Sequence, residues 1–196
     1  MVRIVIFASG SGSNAERIIE YFEKKGGVEV VMILTNNPQA GVIERGRRLG
    51  VPTLIFDRKT FTQTDKIVEI LRYQAVDWVI LAGFLWLVPQ NIIRAYHNRI
   101  INIHPALLPK YGGKGMWGHH VHQAVVDNRE KESGITIHMV DEKYDEGKVI
   151  FQASCAVDEN DTAETVAQKI HLLEYEHFPV IIDKVVNWEL DLGLAE

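Results

Sequence analysis

The sequence has a single cysteine, Cys155, which excludes an intrachain disulfide and any zinc or iron–sulfur centre built on several thiolates. Nowhere does an apolar run approach the roughly 18 residues that span a bilayer. The opening apolar stretch Ile4–Ala8 is too short for the core of a secretory signal and runs directly into Ser and Gly. Basic charge is not in excess: 21 Lys and Arg stand against 26 Asp and Glu, a formal charge of −5. Bulk attraction to nucleic acid or an anionic membrane is thereby excluded, and only a local patch can draw an anion. Low-complexity tracts, internal repeats and interdomain linkers are also missing. These absences predict a cytoplasmic protein that binds neither nucleic acid nor membrane, and they leave open whether it is a monomer or homodimer.

What remains is an ordinary globular composition, 46% hydrophobic and 24% charged over 196 residues. That length suits one domain able to bury its own core. Val2–Ala8, Val28–Leu34 and Trp78–Ala82 are nearly continuous apolar runs, the mark of strands covered on both faces. Pro52–Phe56 and Arg99–His104 read as further strands. Helical spacing runs through Ala15–Lys25, Val42–Leu49 and Lys66–Tyr73. Strands alternating with helices predict an α/β fold: an open, mostly parallel twisted sheet with a Rossmann-like N-terminal half and helices on both faces. After Pro105 the pattern changes. A Gly-rich loop over 107–118 and a short helix over Val121–Asp127 precede two strands, Ile135–Val140 and Val149–Val157. They predict an antiparallel extension in the C-terminal half, closed by a long helix over Ala163–Val186 that Pro179 bends or interrupts.

Three segments carry candidate chemistry. The turn Ser9-Gly10-Ser11-Gly12-Ser13-Asn14 lies between a strand and a helix, where glycine lets the backbone approach a ligand and a helix start offers N–H donors to a phosphate. Gly10, Gly12 and Ala15 also fit a relaxed dinucleotide fingerprint. That fingerprint expects a carboxylate at the end of the second strand, and Leu34-Thr35-Asn36-Asn37-Pro38 has none, so a phosphate monoester is favoured. A tight turn without a ligand is the plain alternative. In Asn102-Ile103-His104-Pro105 the two polar residues are two apart, so they share a strand face at its carboxyl end. Asn102 can donate to an oxyanion there, and His104 can donate or carry a proton. A capped strand end with a satisfied histidine is the bland reading. The acidic turn Asp141–Gly147 can supply a carboxylate to tune that histidine or stand as a solvated hairpin turn. Glu174 falls on the apolar side of the long helix and needs a partner or a site. His119, His120 and His122 offer no second ligand cluster, so no metal is expected. Trp86 and its apolar neighbours line a pocket or the core.

On these residues the chain resembles the folate-dependent formyltransferases, and among them the branch acting on glycinamide ribonucleotide. The carriers are Ser9–Asn14, Leu81-Ala82-Gly83-Phe84, Asn102–Pro105 with Leu107-Leu108-Pro109, and Asp145-Glu146-Gly147, in the family's order over essentially the whole chain. The resemblance implies transfer of a formyl group from 10-formyltetrahydrofolate, a cosubstrate, to the amine of glycinamide ribonucleotide in purine synthesis. It places the phosphate on Gly12, Ser13 and Asn14, the substrate's amine and ribose at Glu174, and the catalytic trio on Asn102, His104 and Asp145. The folate falls on Leu85, Trp86, Leu87, Val88, Asn102 and part of the 141–145 loop. It also divides the single domain, 1–196, into a phosphate-binding half over about 1–104 and a folate-facing half over about 105–196. Trp86 stands where relatives often carry Arg, and the loop Tyr111–Gly118 is longer and richer in Gly than in many of them. Alternatives are a formyltransferase acting on an aminated sugar nucleotide or on methionyl-tRNA, a nicotinamide-dependent dehydrogenase, or a non-catalytic phosphate- or folate-binding module.

Overall fold

The computed structural model describes residues 1–113, 115–141, 147–188 and 190. Strand β1 (Val2–Phe7) shows why its apolar run does not alternate. Ile4 and Ile6 enter one hydrophobic cluster, while Val5 and Phe7 enter a second on the opposite face of the sheet. Helices α1 (Ser13–Lys25) and α7 (Ala163–Val186) cover the first face, with Ile18, Phe22, Ile170 and Phe178 buried in it. Helices α3 (Arg58–Gln63), α4 (Lys66–Tyr73) and α5 (Gln90–Ala95) cover the second through Phe61, Leu71 and Ile92. Both faces are therefore dry, as a parallel sheet requires.

The other strands are β2 (Val28–Thr35), β3 (Thr53–Ile55), β4 (Trp78–Leu81), β5 (Ile100–His104), β6 (Glu132–Met139) and β7 (Val149–Ala156). They form one sheet of order β3-β2-β1-β4-β5-β6-β7. The first five are parallel, and β6 and β7 extend the sheet antiparallel. This is the α/β architecture read from the sequence. The chain winds outward from β1 through β2 to β3, then returns to the other side of β1 at β4. That reversal opens a crevice at the carboxyl ends of β1 and β4, the place where open α/β sheets bind ligands.

Three local outcomes differ from the sequence expectation. Helices α3 and α5 were not anticipated, because six residues are too few to establish a helical period. The Asp57 side chain caps α3 by accepting from Thr60 N at 2.7 Å. Helix α1 starts at Ser13 and α6 (His119–Asp127) at His119, each two residues ahead of its apolar stripe. Helix α7 neither breaks nor stops at Pro179. Proline removes one backbone hydrogen bond, but Phe178, Pro179, Ile181 and Ile182 are all buried, and that packing carries the helix through.

Candidate active site

A cleft of about 550 Å³ opens at the β1/β4 crevice, within the usual range for a small-molecule site. Its first wall is the turn after β1. Gly12 caps α1 at φ +78° and no side chain caps the helix start, so the first-turn N–H groups face the cleft. Behind the turn, Val42 N at the start of α2 (Val42–Arg48) donates to Gly10 O at 3.1 Å, and Arg45 Nε donates to Ser11 O at 2.8 Å. Ser9 ties the strand ends together. Its hydroxyl donates to Asn36 Oδ1 at 2.7 Å and accepts from Leu85 N at 3.0 Å. The end of β2, where a dinucleotide site would put its ribose carboxylate, thus holds a neutral amide already bonded to Ser9.

The second wall is the end of β5. Asn102 and His104 both line the cleft, about 7 Å apart along one strand face. Asn102 Nδ2 lies 3.0 Å from His138 Nε2, and His138 Nδ1 lies 2.8 Å from Met139 O. A carbonyl can only accept, so His138 carries its hydrogen on Nδ1 and accepts from the Asn102 amide at Nε2. The Asn102 amide is thereby oriented, with its second N–H left for a ligand. His138 sits directly opposite Asn102 in the antiparallel β5–β6 register. That pairing was invisible to a reading by linear spacing.

The third wall comes from α6 and α7. Glu174 is only 5% exposed, and its Oε2 accepts from Asn14 Nδ2 at 3.0 Å and from His171 Nδ1 at 2.8 Å. Both bonds fall on one oxygen, which leaves Oε1 for a ligand. The bond to Glu174 raises the His171 pKa above the ordinary histidine range, against the opposing effect of burial. His122 behaves in the opposite way. Burial, and then the neighbouring His171, His119 and His104, lower its pKa to about 4, so it is neutral at pH 7. His122 Nδ1 and Asn14 Oδ1 are both buried polar atoms with no hydrogen-bond partner among the described residues. A ligand with complementary groups would satisfy them. His119 and His120 are exposed, and His120 packs edge-on against Trp117 at 4.7 Å. The three histidines therefore do not act together. Among the described residues, no group of three or more His, Cys, Asp or Glu can hold a metal ion.

The lip of the cleft is the segment after β4. Leu85 and Leu87 are exposed, Val88 is buried, and Trp86 packs into the aromatic group of Phe56, Phe61 and Phe84 with ring centroids 5.9 to 6.5 Å away. Above the Trp86 ring lies the guanidinium of Arg58 from α3, 5.5 Å from the centroid. The sequence reading missed Arg58, which lies 28 residues from Trp86 on a helix too short to be recognised. Of the residues singled out from sequence, Gly12, Ser13, Asn14, Asn102, His104 and Glu174 meet in this cleft with the Leu85–Val88 segment. Asp145 lies outside the described residues. Gly147, just after it, packs so tightly on β6 that a Cβ there would overlap the Met139 carbonyl oxygen.

This fold and cleft belong to a class of one-carbon group transferases: the formyl transferase family matches residues 2–182, and the chain is a member of it. Within the class it is similar to the phosphoribosylglycinamide formyltransferase of Bacillus subtilis (strain 168), 36% identical over 192 residues that cover 95% of this chain and 96% of that one. It is 38% identical over 200 residues to the chloroplastic phosphoribosylglycinamide formyltransferase of Arabidopsis thaliana, covering 96% and 68% of the two chains. The crystal structure of phosphoribosylglycinamide formyltransferase from Bacillus Halodurans superposes with a TM-score of 0.86 at 36% identity, covering 98% of this chain and all of that one. Among the described residues, no helix is long and apolar enough to cross a membrane.

Proposed function

We propose that this chain transfers the formyl group of 10-formyltetrahydrofolate to the amine of glycinamide ribonucleotide, giving N-formylglycinamide ribonucleotide and tetrahydrofolate in purine biosynthesis. The observation that carries the reading is the convergence of three chemistries on one cleft: a phosphate turn, an Asn–His pair at a strand end and an aromatic, apolar lip. The phosphate sits on the N–H groups of Gly12, Ser13 and Asn14 at the start of α1, where the helix dipole favours an anion. Glu174 accepts from the ribose and amine end of the substrate. The pterin lies along Leu85–Val88 and reaches Asn102. Arg58, held over Trp86, supplies a cation for the anionic folate tail.

In the reaction the neutral amine attacks the formyl carbon and the carbonyl oxygen becomes an oxyanion. Asn102, with its amide set by His138, and His104 donate hydrogen bonds to that oxygen, which is stabilisation aimed at charge that develops only in the transition state. A proton leaves the attacking nitrogen and returns to the departing folate nitrogen as the tetrahedral species collapses, and His104 with Asp145 carries it. Transfer is direct, with no formyl-enzyme. In this reading residues 1–104 form the phosphate-binding half and 105–196 the folate-facing half of one domain, acting in the cytoplasm on small molecules as a monomer or homodimer.

The test mixes the protein with both substrates and follows formylated product by mass. Product that requires both is expected. No product, or a trapped formylated protein, overturns the reading.

A further inference from the structure

The described residues that line the cleft include neither lysine nor arginine, although a phosphate is to be held there. Arg45 lies one layer back, half-buried on α2, and reaches the turn after β1 from behind. Its Nε donates to Ser11 O at 2.8 Å, and its Nη1 pairs with Glu16 of α1. Arg48 pairs with the other oxygen of that carboxylate, so Glu16 is shared between two guanidinium groups. Helix α2 itself is closely seated. A Cβ at Gly46 would lie 2.4 Å from Thr53 Oγ1 and 3.0 Å from Val51 O, and one at Gly41 would lie 3.2 Å from Ser11 Cα and from Ser11 O. The guanidinium is thus fixed from two sides, by Glu16 and by the packing of the helix that carries it. Ser11 O and Gly12 N–H belong to one trans peptide unit and point in opposite directions. With Ser11 O turned back to Arg45, Gly12 N–H is turned away from α2, toward the cleft that Gly12 lines. A cationic donor on the carbonyl also draws electron density through the amide and strengthens its N–H as a donor. Val42 N, on Gly10 O at 3.1 Å, acts in the same way on Ser11 N–H but brings no charge.

We propose that Arg45 is a positioning residue for the substrate's phosphate: it touches no ligand, but it orients the Gly12 N–H and delivers positive charge to the turn through the Ser11–Gly12 peptide. The inference rests on the reading that the phosphate sits on the turn after β1. It accounts for a cleft that favours a phosphorylated molecule over the same molecule without its phosphate although no described Lys or Arg lines it. Binding of the phosphate depends on Arg45, whereas the chemical step at the Asn–His pair does not.

The experiment uses the full chain and pairs steady-state kinetics with calorimetry of ribose 5-phosphate, a probe that carries the phosphate and no reacting amine. Arg45→Met keeps an unbranched stem and removes the charged donor. It raises KM for glycinamide ribonucleotide and the dissociation constant of ribose 5-phosphate each about tenfold, the usual worth of a hydrogen bond to a charged group. Both kcat and KM for formyl-folate stay within about twofold, as does kcat/KM for the substrate stripped of its phosphate. In ¹H–¹⁵N spectra the Gly12 amide moves upfield, because its peptide carbonyl has lost a donor. Arg45→Lys keeps the charge and loses the fork, so it gives a smaller loss of about two- to fivefold, which keeps the test decisive if Arg45→Met folds poorly. Ribose 5-phosphate binding as tight as the parent's in Arg45→Met, or in Arg45→Lys where only that variant folds, overturns the proposal. So does an equal loss for the substrate without its phosphate, which marks a general loosening of the turn. A loss with the Gly12 amide unmoved overturns it too, because the charge then acts without the peptide. If the parent makes no formylated product, yet ribose 5-phosphate binding falls in Arg45→Met together with the Gly12 shift, the functional reading fails and the role of Arg45 stands. A parent that forms product but binds ribose 5-phosphate no better than ribose leaves the functional reading standing and sinks the role of Arg45.

Discussion

Replacing Gly12 by Ala, with Gly10→Ala as its control, tests how the phosphate turn is built. The two glycines look equivalent in the sequence, but they are not equivalent in space. Gly12 sits at φ +78°, and a Cβ there would lie 2.5 Å from Val42 Cβ and 2.7 Å from Val42 Cα, inside any real contact distance. Gly10 has no positive φ, and a Cβ there would meet nothing within 4 Å. A left-handed backbone costs alanine about 1–2 kcal/mol, and overpacking against a backbone atom adds about 1–3 kcal/mol. The sum, about 2–5 kcal/mol, is a large part of the usual stability margin of about 5–15 kcal/mol. At a urea slope of about 2 kcal/mol per molar it lowers the denaturation midpoint by about 1–2.5 M. The same displacement pushes the turn away from α2, which Val42 N holds to Gly10 O, and spreads the N–H donors. KM for glycinamide ribonucleotide is therefore expected to rise at least about tenfold, since one lost charge-assisted bond is worth about 1.5–3 kcal/mol. Binding of the formyl-folate is expected to stay near the parent value. Gly10→Ala is expected to change neither midpoint nor KM by a measurable amount. The reasoning is refuted if Gly12→Ala matches the parent, or if Gly10→Ala falls as far.

His104→Ala and Asn102→Ala are each expected to lower kcat by about 10²–10³, the usual worth of an oxyanion donor, while equilibrium binding of both substrates stays within a few-fold; equal losses in binding would make this a non-catalytic site. Arg58→Ala is expected to weaken formyl-folate binding several-fold and shift Trp86 fluorescence without affecting glycinamide ribonucleotide, because a cation over an indole contributes about 0.5–2 kcal/mol. His122 and His171 give opposite pH dependences. The folded pKa of His122, about 4, lies below its unfolded value of about 6.5, so the unfolded chain binds the extra proton, and about 3 kcal/mol of stability is lost as pH falls through that window. His122→Phe is expected to flatten the fall of the urea midpoint between pH 6.5 and 4; an unchanged slope counts against the assignment. The folded pKa of His171 is raised, so its contribution is full below its unfolded pKa and fades as pH rises through the folded one. His171→Gln is expected to remove that alkaline loss.

How much was legible follows from what linear spacing can encode. Unalternating runs such as Val2–Phe7 and Trp78–Leu81 announce strands covered on both faces, and that property forces a parallel sheet with two helical layers. The position of Asn102 and His104 at a strand end, and of Glu174 on a buried helix face, are likewise local facts, and all three reach the cleft. Relations across the chain are not local. His138 matters because antiparallel register sets it opposite Asn102, and Arg58 because α3 lays it over Trp86. The Gly-rich loop hid the backbone carbonyl of Tyr111, which lies 2.7 Å from His104 Nε2, and no side-chain pattern can mark a carbonyl. Among His119, His120 and His122 the sequence shows three equal residues, and burial alone singles out the third.

The same geometry resolves how a chain of charge −5 accepts an anionic substrate beside a buried carboxylate. Asn14 belongs to both ends of the problem: its backbone lies in the first turn of α1, and its side chain donates to Glu174. A ligand that bridges the two must present an acceptor to the helix start and a donor to Glu174 Oε1, because reversal would set anion against carboxylate and leave the backbone donors unmet. The bond to Glu174 favours the charged form of His171, and a cation there offsets the carboxylate and reduces repulsion of the phosphate without removing the acceptor. The cleft therefore imposes a direction. In the proposed reading a phosphate at one end and hydroxyl or amine groups at the other run along it in one sense only, and that sense carries the substrate from the turn after β1 toward the Asn–His pair at the end of β5. A dinucleotide has an acidic bridge at its middle and needs a carboxylate at the end of β2, where Asn36 is already bonded to Ser9. Orientation of the substrate is thus built from partial charges of the backbone and one buried carboxylate, and the net charge of the chain has no part in it.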